Sequence, residues 1–245
     1  MKNSISIIVP AYKEEQFIEN TLRENIEALR KHNFEFEVII VIDKVPNDKT
    51  FEIVEQLSKS FNEIKIIARE GKQGIASAIK EGINGACKDV IIILMGDKSE
   101  DPNDLPKLVF KMNEGYDMVF GNRFSGDTRF EGYPMKKYIL NRMCNFAIRI
   151  LFGIRSSDIT NAVKAYRATI LKKINITSSG FEVFAELPIK AYRRGYKNFT
   201  EVPLNHYSRD ITFSKFSIFD EGPRYFKIVL RCLFNKDHGS TSNSH

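Results

Sequence analysis

Short apolar runs alternating with stretches of helical periodicity fill the first half of this chain, and that alternation limits the folds open to it. Residues 4–9 (SISIIV), 36–42 (FEVIIVI), 64–68, 89–95 (DVIIILM) and 117–121 (DMVFG) read as strands. Between them, residues 15–31 carry Phe17, Ile18, Leu22, Ile26 and Leu29 at helical spacing, and residues 50–60, 75–86 and 103–114 also read as helices. Strands apolar at successive positions are buried on both faces, and helices between them cover both sides of a parallel sheet. The expectation is an α/β, Rossmann-like, mostly parallel sheet. Ligands of such sheets bind beyond the carboxyl ends of the strands, so the loops after Val9, Ile42, Ala68, Met95 and Phe120 are the candidate functional loops.

Beyond residue 121 the pattern is less regular. Residues 133–152 form a long basic and aromatic helical stretch, residues 178–192 include a helix, and residues 198–202 read as a strand. Residues 216–234 are amphipathic, with a break at Gly222-Pro223. The expected organisation is one domain over residues 1–215, an amphipathic C-terminal helical segment over 216–236 and a polar, disordered tail over 237–245. A chain of 245 residues buries roughly three-quarters of its unfolded surface, so it needs no disulfides. Cys87, Cys144 and Cys232 show no CxxC spacing, which argues against zinc and fits a reducing cytosol. The first residues carry no secretory signal, and no run reaches the roughly 18 apolar residues that span a bilayer. The net charge of +6 suits anionic small molecules or a phospholipid surface. Nucleic acid is the weakest partner, because no aromatic RNA-binding motif or long basic run is present.

The candidate loops are acidic. Pro10-Ala11-Tyr12-Lys13-Glu14-Glu15 follows the first strand, Asp43 and then Asp48 follow the second, and Gly96-Asp97 with Glu100 and Asp101 follow the fourth. Carboxylates here can accept hydrogen bonds from ribose or base, or hold a hard divalent cation on a diphosphate. Asp48 and Asp101 equally suit helix N-caps. Asp43 and Asp97 directly follow apolar strands, where the backbone opens towards a ligand.

Six segments stand in order: Ile8–Glu15 (IVPAYKEE), Val41–Asp43 with Asp48-Lys49-Thr50, the small-residue helix from Gly74 to Ile83, Gly121-Asn122-Arg123-Phe124, Asp158-Ile159-Thr160-Asn161-Ala162, and Glu201-Val202-Pro203 followed by Arg209 and Ser214-Lys215. Together they resemble family 2 glycosyltransferases of the GT-A fold, in the dolichyl- or polyprenyl-phosphate sugar synthase branch. The resemblance implies a nucleoside-diphosphate-sugar donor, UDP- or GDP-linked, bound by Pro10, Ala11, Tyr12, Glu14, Asp43, Gly74, Gly96 and Asp97. It implies Mg²⁺ or Mn²⁺ on Asp97, and Arg123, Arg209, Ser214 and Lys215 at the phosphates of donor or acceptor. Arginine's planar fork suits phosphate oxygens. Three departures stand out: the D-x-D metal motif reads Met95-Gly96-Asp97, the VDD segment retains only Asp43, and the Gly-x-Ser-Lys before the tail reads Thr212-Phe213-Ser214-Lys215.

The implied reaction is inverting displacement at the anomeric carbon. A phosphate acceptor needs no general base. A hydroxyl acceptor does, and Asp158 is then the candidate, with Glu182 and Glu186 behind it. Basic and aromatic residues in 135–155 and 216–234 suit a bilayer interface. The leading expectation is therefore a peripheral enzyme on the cytoplasmic face of a membrane, loading a lipid phosphate. A glycan or soluble hydroxyl acceptor is the alternative within the class, and a non-catalytic nucleotide-binding protein the alternative outside it. An oligomer is compatible with either.

Overall fold

A computed structural model describes residues 3–126, 128, 130–131, 135–207 and 218–234. The elements run β1 (Ile5–Ala11), α1 (Ile18–Arg30), β2 (Phe36–Lys44), α2 (Thr50–Ser58), β3 (Ile64–Glu70), α3 (Ile75–Gly85), β4 (Val90–Ile93), α4 (Leu105–Asn113) after one 3-10 turn, and β5 (Met118–Asn122). They continue with β6 (Phe130–Glu131), α5 (Met135–Phe152), β7 (Lys164–Arg167), α6 (Ala168–Leu171), α7 (Val183–Arg193), β8 (Phe199–Pro203), β9 (His206–Tyr207) and α8 (Ile218–Phe234).

Seven strands form one sheet in the order β3-β2-β1-β4-β7-β5-β8, and β6 pairs with β9 in a separate ribbon. The expected strands pair in parallel, as β2 does with both β1 and β3. The second half adds what periodicity did not indicate: β7 inserts antiparallel between β4 and β5. Its four residues, Lys-Ala-Tyr-Arg, lack an apolar run. They are held as a strand because both neighbours present open edges.

Alternation along the strands feeds two cores. Ile5, Ile7 and Val9 point towards α1, α2 and α4, whereas Ile8, Ile39, Val41, Ile91 and Ile93 point towards α3, α7 and α8. Each fully buried Ile or Leu contributes roughly 1.5–3 kcal/mol. The small residues of α3 have a packing reason. A Cβ on Gly82 would lie 2.4 Å from Cγ2 of Ile8, so a larger residue would push the helix off β1.

Helix α8 runs unbroken through Pro223, against the expected break. Ile228, Val229 and Cys232 are buried in the second core, and this packing outweighs the single backbone bond that proline removes. The C-terminal segment is thus seated on the domain. Among the described residues no helix is long and apolar enough to cross a membrane. Cys232 is buried as a small hydrophobe, but Cys87 is exposed.

A buried carboxylate ties the amino ends of the strands together. Glu37 accepts from Ser6 Oγ at 2.5 Å and Cys87 N at 2.9 Å, and pairs with Lys65 at 2.6 Å. Burial opposes its ionisation, but the bonds from Cys87, Lys65 and Ser6 outweigh it and hold the carboxyl at about 2, below the usual 4.5. A depressed carboxyl stabilises the fold above its unfolded value, and that contribution is lost as pH falls from 4.5 towards 2. Glu37→Gln is expected to cost about 2 kcal/mol at pH 7, discounted for the exposure of Lys65, and to flatten the acid limb of stability. Urea midpoints at pH 7, 4 and 3 check this; an unchanged acid limb would refute it.

Candidate functional site

The sheet order reverses direction at β1, which has β2 on one side and β4 on the other. The β1–β4 ladder ends at Ile8–Ile93, while β1 continues along β2 as far as Ala11–Ile42. A crevice therefore opens beside Pro10 and Ala11, at the position where doubly wound sheets bind ligands.

Three loops line it. After β1, Tyr12 is half-buried, Lys13 adopts a left-handed φ of 55°, and Glu14 is buried. The Glu14 N–H donates to Thr50 Oγ1 at 2.9 Å, and its carbonyl accepts from Phe17 and Ile18 as α1 begins. Asp48 accepts from Thr50 Oγ1 at 2.7 Å, and Asp101 caps its 3-10 turn by accepting from Asn103 N. Asp101 thus takes the capping alternative, whereas the N-cap of α2 is Lys49 and Asp48 instead holds the Thr50 hydroxyl.

At the end of β2, Asp43 is buried. Its Oδ2 accepts from the backbone of Gln73 at 2.9 Å and Gly74 at 3.1 Å, and its Oδ1 faces buried Arg69 in an ion pair. Arg69 also reaches Ser77, Glu81 and the Gly74 carbonyl. Gly74 has φ 92°, and a Cβ there would sit 3.1 Å from the Ser179 carbonyl. Asp43 and Arg69 thereby fix the β3–α3 loop, and Lys72 of that loop lies 5.3 Å above the Tyr12 ring. Sequence reasoning passed over both Lys72 and Arg69. The basic pair flanking Gly71 in Arg69-Glu70-Gly71-Lys72 was the available signal.

After β4, Gly96 packs so closely that a Cβ would lie 3.0 Å from Ile18 Cδ1. Asp97 is half-buried, and its Oδ1 accepts from Ser99 Oγ at 2.5 Å and Ser99 N at 3.2 Å. The next residues join the segment after β8: Glu100 bridges to His206, and Tyr207 N donates to the Ser99 carbonyl. Burial pushes Glu100 up to about 7, opposed by a bond from Ser99 and the charge of Arg123. His206 is pushed down to about 4 by burial, then by Arg123.

The far side of the site is built around Asp158. Its carboxylate is fully buried and accepts from Arg123 Nε and Nη2 at 2.8 Å each and from Arg123 N at 3.0 Å. Asn122 sets the turn, with Oδ1 accepting from Phe124 N and Nδ2 reaching Ser157 Oγ and Glu201. Buried Lys164 lies behind this pair, held down to about 7 by burial despite the nearby Asp158 charge. A cavity of about 480 Å³, lined by Lys107, Ser125, Gly126, Thr128, Pro203 and Asn205, adjoins the turn after β5.

This geometry corrects the expectation for the acids. Both Asp158 oxygens are committed to Arg123, so accepting a substrate proton would require that pair to open. Glu186 accepts from Thr177 N and Ser178 N and pairs with Lys190 at 2.7 Å. Glu182 accepts from Ser179 N and Gly180 N. They anchor the loop before α7, taking backbone donors that would otherwise be buried unpaired. Arg209, Ser214 and Lys215 lie outside the described residues.

No group of three or more His, Cys, Asp or Glu that could hold a metal occurs among the described residues. One carboxylate at the mouth of a crevice still fits Mg²⁺ or Mn²⁺ arriving with a diphosphate, because Mg²⁺ commonly uses one or two carboxylates plus substrate oxygens and water.

Residues 6–175, more than half the chain, match the family described as Glycosyl transferase family 2. The chain belongs to this family. Among its curated relatives, a dolichol-phosphate mannosyltransferase of Pyrococcus furiosus is 27% identical over 82% of the chain. The match spans only 55% of that relative's length. A polyprenol monophosphomannose synthase of Mycolicibacterium smegmatis is 26% identical, covering 91% of this chain and 84% of its own. The solved glucosyl-3-phosphoglycerate synthase of Mycobacterium tuberculosis, in complex with Mn²⁺, UDP and phosphoglyceric acid, superposes with a TM-score of 0.72 at 15% identity, covering 97% of this chain and 81% of its own. That likeness establishes the fold, the GT-A, Rossmann-like arrangement expected for the family.

Proposed function

We propose that the chain is an inverting glycosyltransferase that moves a hexose from a UDP- or GDP-sugar to a polyprenyl or dolichyl phosphate, working peripherally on the cytoplasmic face of a membrane. The observation that carries this reading is the Arg123–Asp158 pair. The pair spends Nε and Nη2 on Asp158 and so fixes the direction in which Nη1 of the same guanidinium can meet a phosphate oxygen at the strand ends. The same pairing removes Asp158 from use as a base, which suits an acceptor that is already anionic. The relatives named for dolichol and polyprenol phosphates support the same acceptor class.

In this reading Pro10, Ala11, Tyr12, Glu14, Gly74 and Gly96 shape the nucleoside slot. Asp43, paired with Arg69 through Oδ1 and accepting from Gln73 N and Gly74 N through Oδ2, organises the loop that closes it. Asp97 holds Mg²⁺ or Mn²⁺, which supplies charge neutralisation for the leaving diphosphate. Arg123, with Arg209, Ser214 and Lys215, receives the acceptor phosphate.

A hydroxyl acceptor, glycan or soluble, is the second reading. One observation favours it: Glu100, held near 7, has the proton affinity of a general base. Transfer assays across UDP- and GDP-sugars with Mn²⁺, with and without membrane lipid extract, separate the two. Lipid-dependent transfer is expected, with no rise in kcat through pH 7. Lipid-independent transfer that rises through pH 7 and is lost in Glu100→Gln would replace it with the hydroxyl reading. Inertness towards every donor would sink both.

A further inference from the structure

Helix α5 has two faces of opposite character. Outwards, Met135, Ile139, Met143, Phe146 and Ile150 recur at steps of three and four and form one stripe, each residue between 52% and 69% exposed. This is a sustained apolar surface on a helix that carries Lys136, Lys137, Arg142 and Arg149 and no acidic residue. Inwards, Asn141 and Asn145 donate to Thr160 Oγ1 at 2.8 and 3.0 Å, and Thr160 N returns a bond to Asn145 Oδ1 at 3.1 Å. Arg142 donates to the Ser157 carbonyl at 2.8 Å. The inner face therefore holds the segment that carries Asp158, and through it Arg123. Helix α8, the other amphipathic candidate, seats Ile228, Val229 and Cys232 on the domain and exposes only Phe226 and Phe234 among its described large apolar side chains, eight residues apart and without the continuous stripe of α5.

We propose that the outer stripe of α5 is the surface by which this protein docks on an anionic bilayer, and that its inner polar face sets Arg123 at the level of a phosphate in that bilayer. Charge selects this occupant. A second copy would bring the same acid-free, basic helix against itself in a two-fold contact, with like charges repelling. Arg142 turns inward, so exposed Arg149 and the acid-free sequence of the helix supply the charge that anionic headgroups complement while the stripe enters the interfacial layer. The docking stands on the stripe alone; its link to transfer rests on the lipid-phosphate reading above.

The test uses the full chain and its Ile139→Asp/Phe146→Asp variant, both positions being exposed. Wild type is expected to float with phosphatidylglycerol–phosphatidylcholine vesicles and to bind pure phosphatidylcholine or high-salt samples far less. The variant is expected to bind anionic vesicles at least tenfold more weakly. It should transfer sugar to a short, water-soluble isoprenyl phosphate at the wild-type rate, and lose activity towards long-chain acceptor in vesicles. Variant flotation equal to wild type would overturn the proposal. So would a wild-type dimer in sedimentation that the variant dissolves without any flotation by either protein, which would assign the stripe to self-association. If neither protein transfers to either acceptor, the lipid-phosphate reading fails while flotation still decides the docking.

Discussion

Asp158→Ala is expected to abolish transfer and to destabilise the fold by about 3–5 kcal/mol, the cost of breaking a buried ion pair from one side. The carboxylate is fully buried, and its partner's side chain is only 11% exposed. Removing it leaves Arg123 Nε, Nη2 and backbone N–H without their Asp158 acceptor, next to buried Lys164. The loss of stability corresponds to a drop in Tm on the order of 10 °C for a chain of this size. Asp158→Asn separates structure from function. The amide keeps the volume and accepts part of the fork, so the variant should fold with a smaller deficit, yet place the guanidinium less firmly. Its signature is a raised KM for the phosphate acceptor with donor affinity unchanged. Urea denaturation and acceptor kinetics measure both effects, and an Asp158→Ala protein with wild-type midpoint and turnover would dismiss the buried pair as the organiser of the site.

Asp97→Ala is expected to have the opposite profile: transfer falls by at least about 10³-fold, while stability changes by less than about 1 kcal/mol. Asp97 is half-buried, and the bonds it accepts from Ser99 are local to one loop. In the proposed reading Asp97 holds the diphosphate-bound cation, while Asp101 on the same loop caps its 3-10 turn and Glu100 bridges to His206. Mn²⁺ should strengthen nucleotide binding to the wild type and fail to do so in the variant, which gives a readout independent of turnover. Unchanged turnover, or an unchanged Mn²⁺ effect on binding, would remove Asp97 from the metal role.

The contrast between these two acids shows what could be read from the chain. Both are single Asp residues in motif-like segments. Asp97 follows an apolar strand directly, so local sequence places it at a strand end. Nothing local distinguishes an exposed base from a buried anchor at Asp158, because that outcome depends on Arg123, 35 positions away. Glu186 is a similar case: it stands behind Asp158 as a candidate base, but the folded-back loop of Thr177 and Ser178 claims it.

By itself the sequence determined the strands and helices of the first half, their faces, and the ends at which chemistry gathers. Apolar periodicity is a local property, and burial on both faces of a strand leaves a direct record in consecutive residues. Only the tertiary structure decided the insertion of β7, the seating of α8, the commitment of Asp158, Glu182 and Glu186 to structure, and the apolar stripe left outward on α5. These depend on contacts between distant segments. The open edges of β4 and β5 make a strand of Lys164–Arg167, and the polar bonds of Asn141 and Asn145 to Thr160 determine which side of α5 faces in.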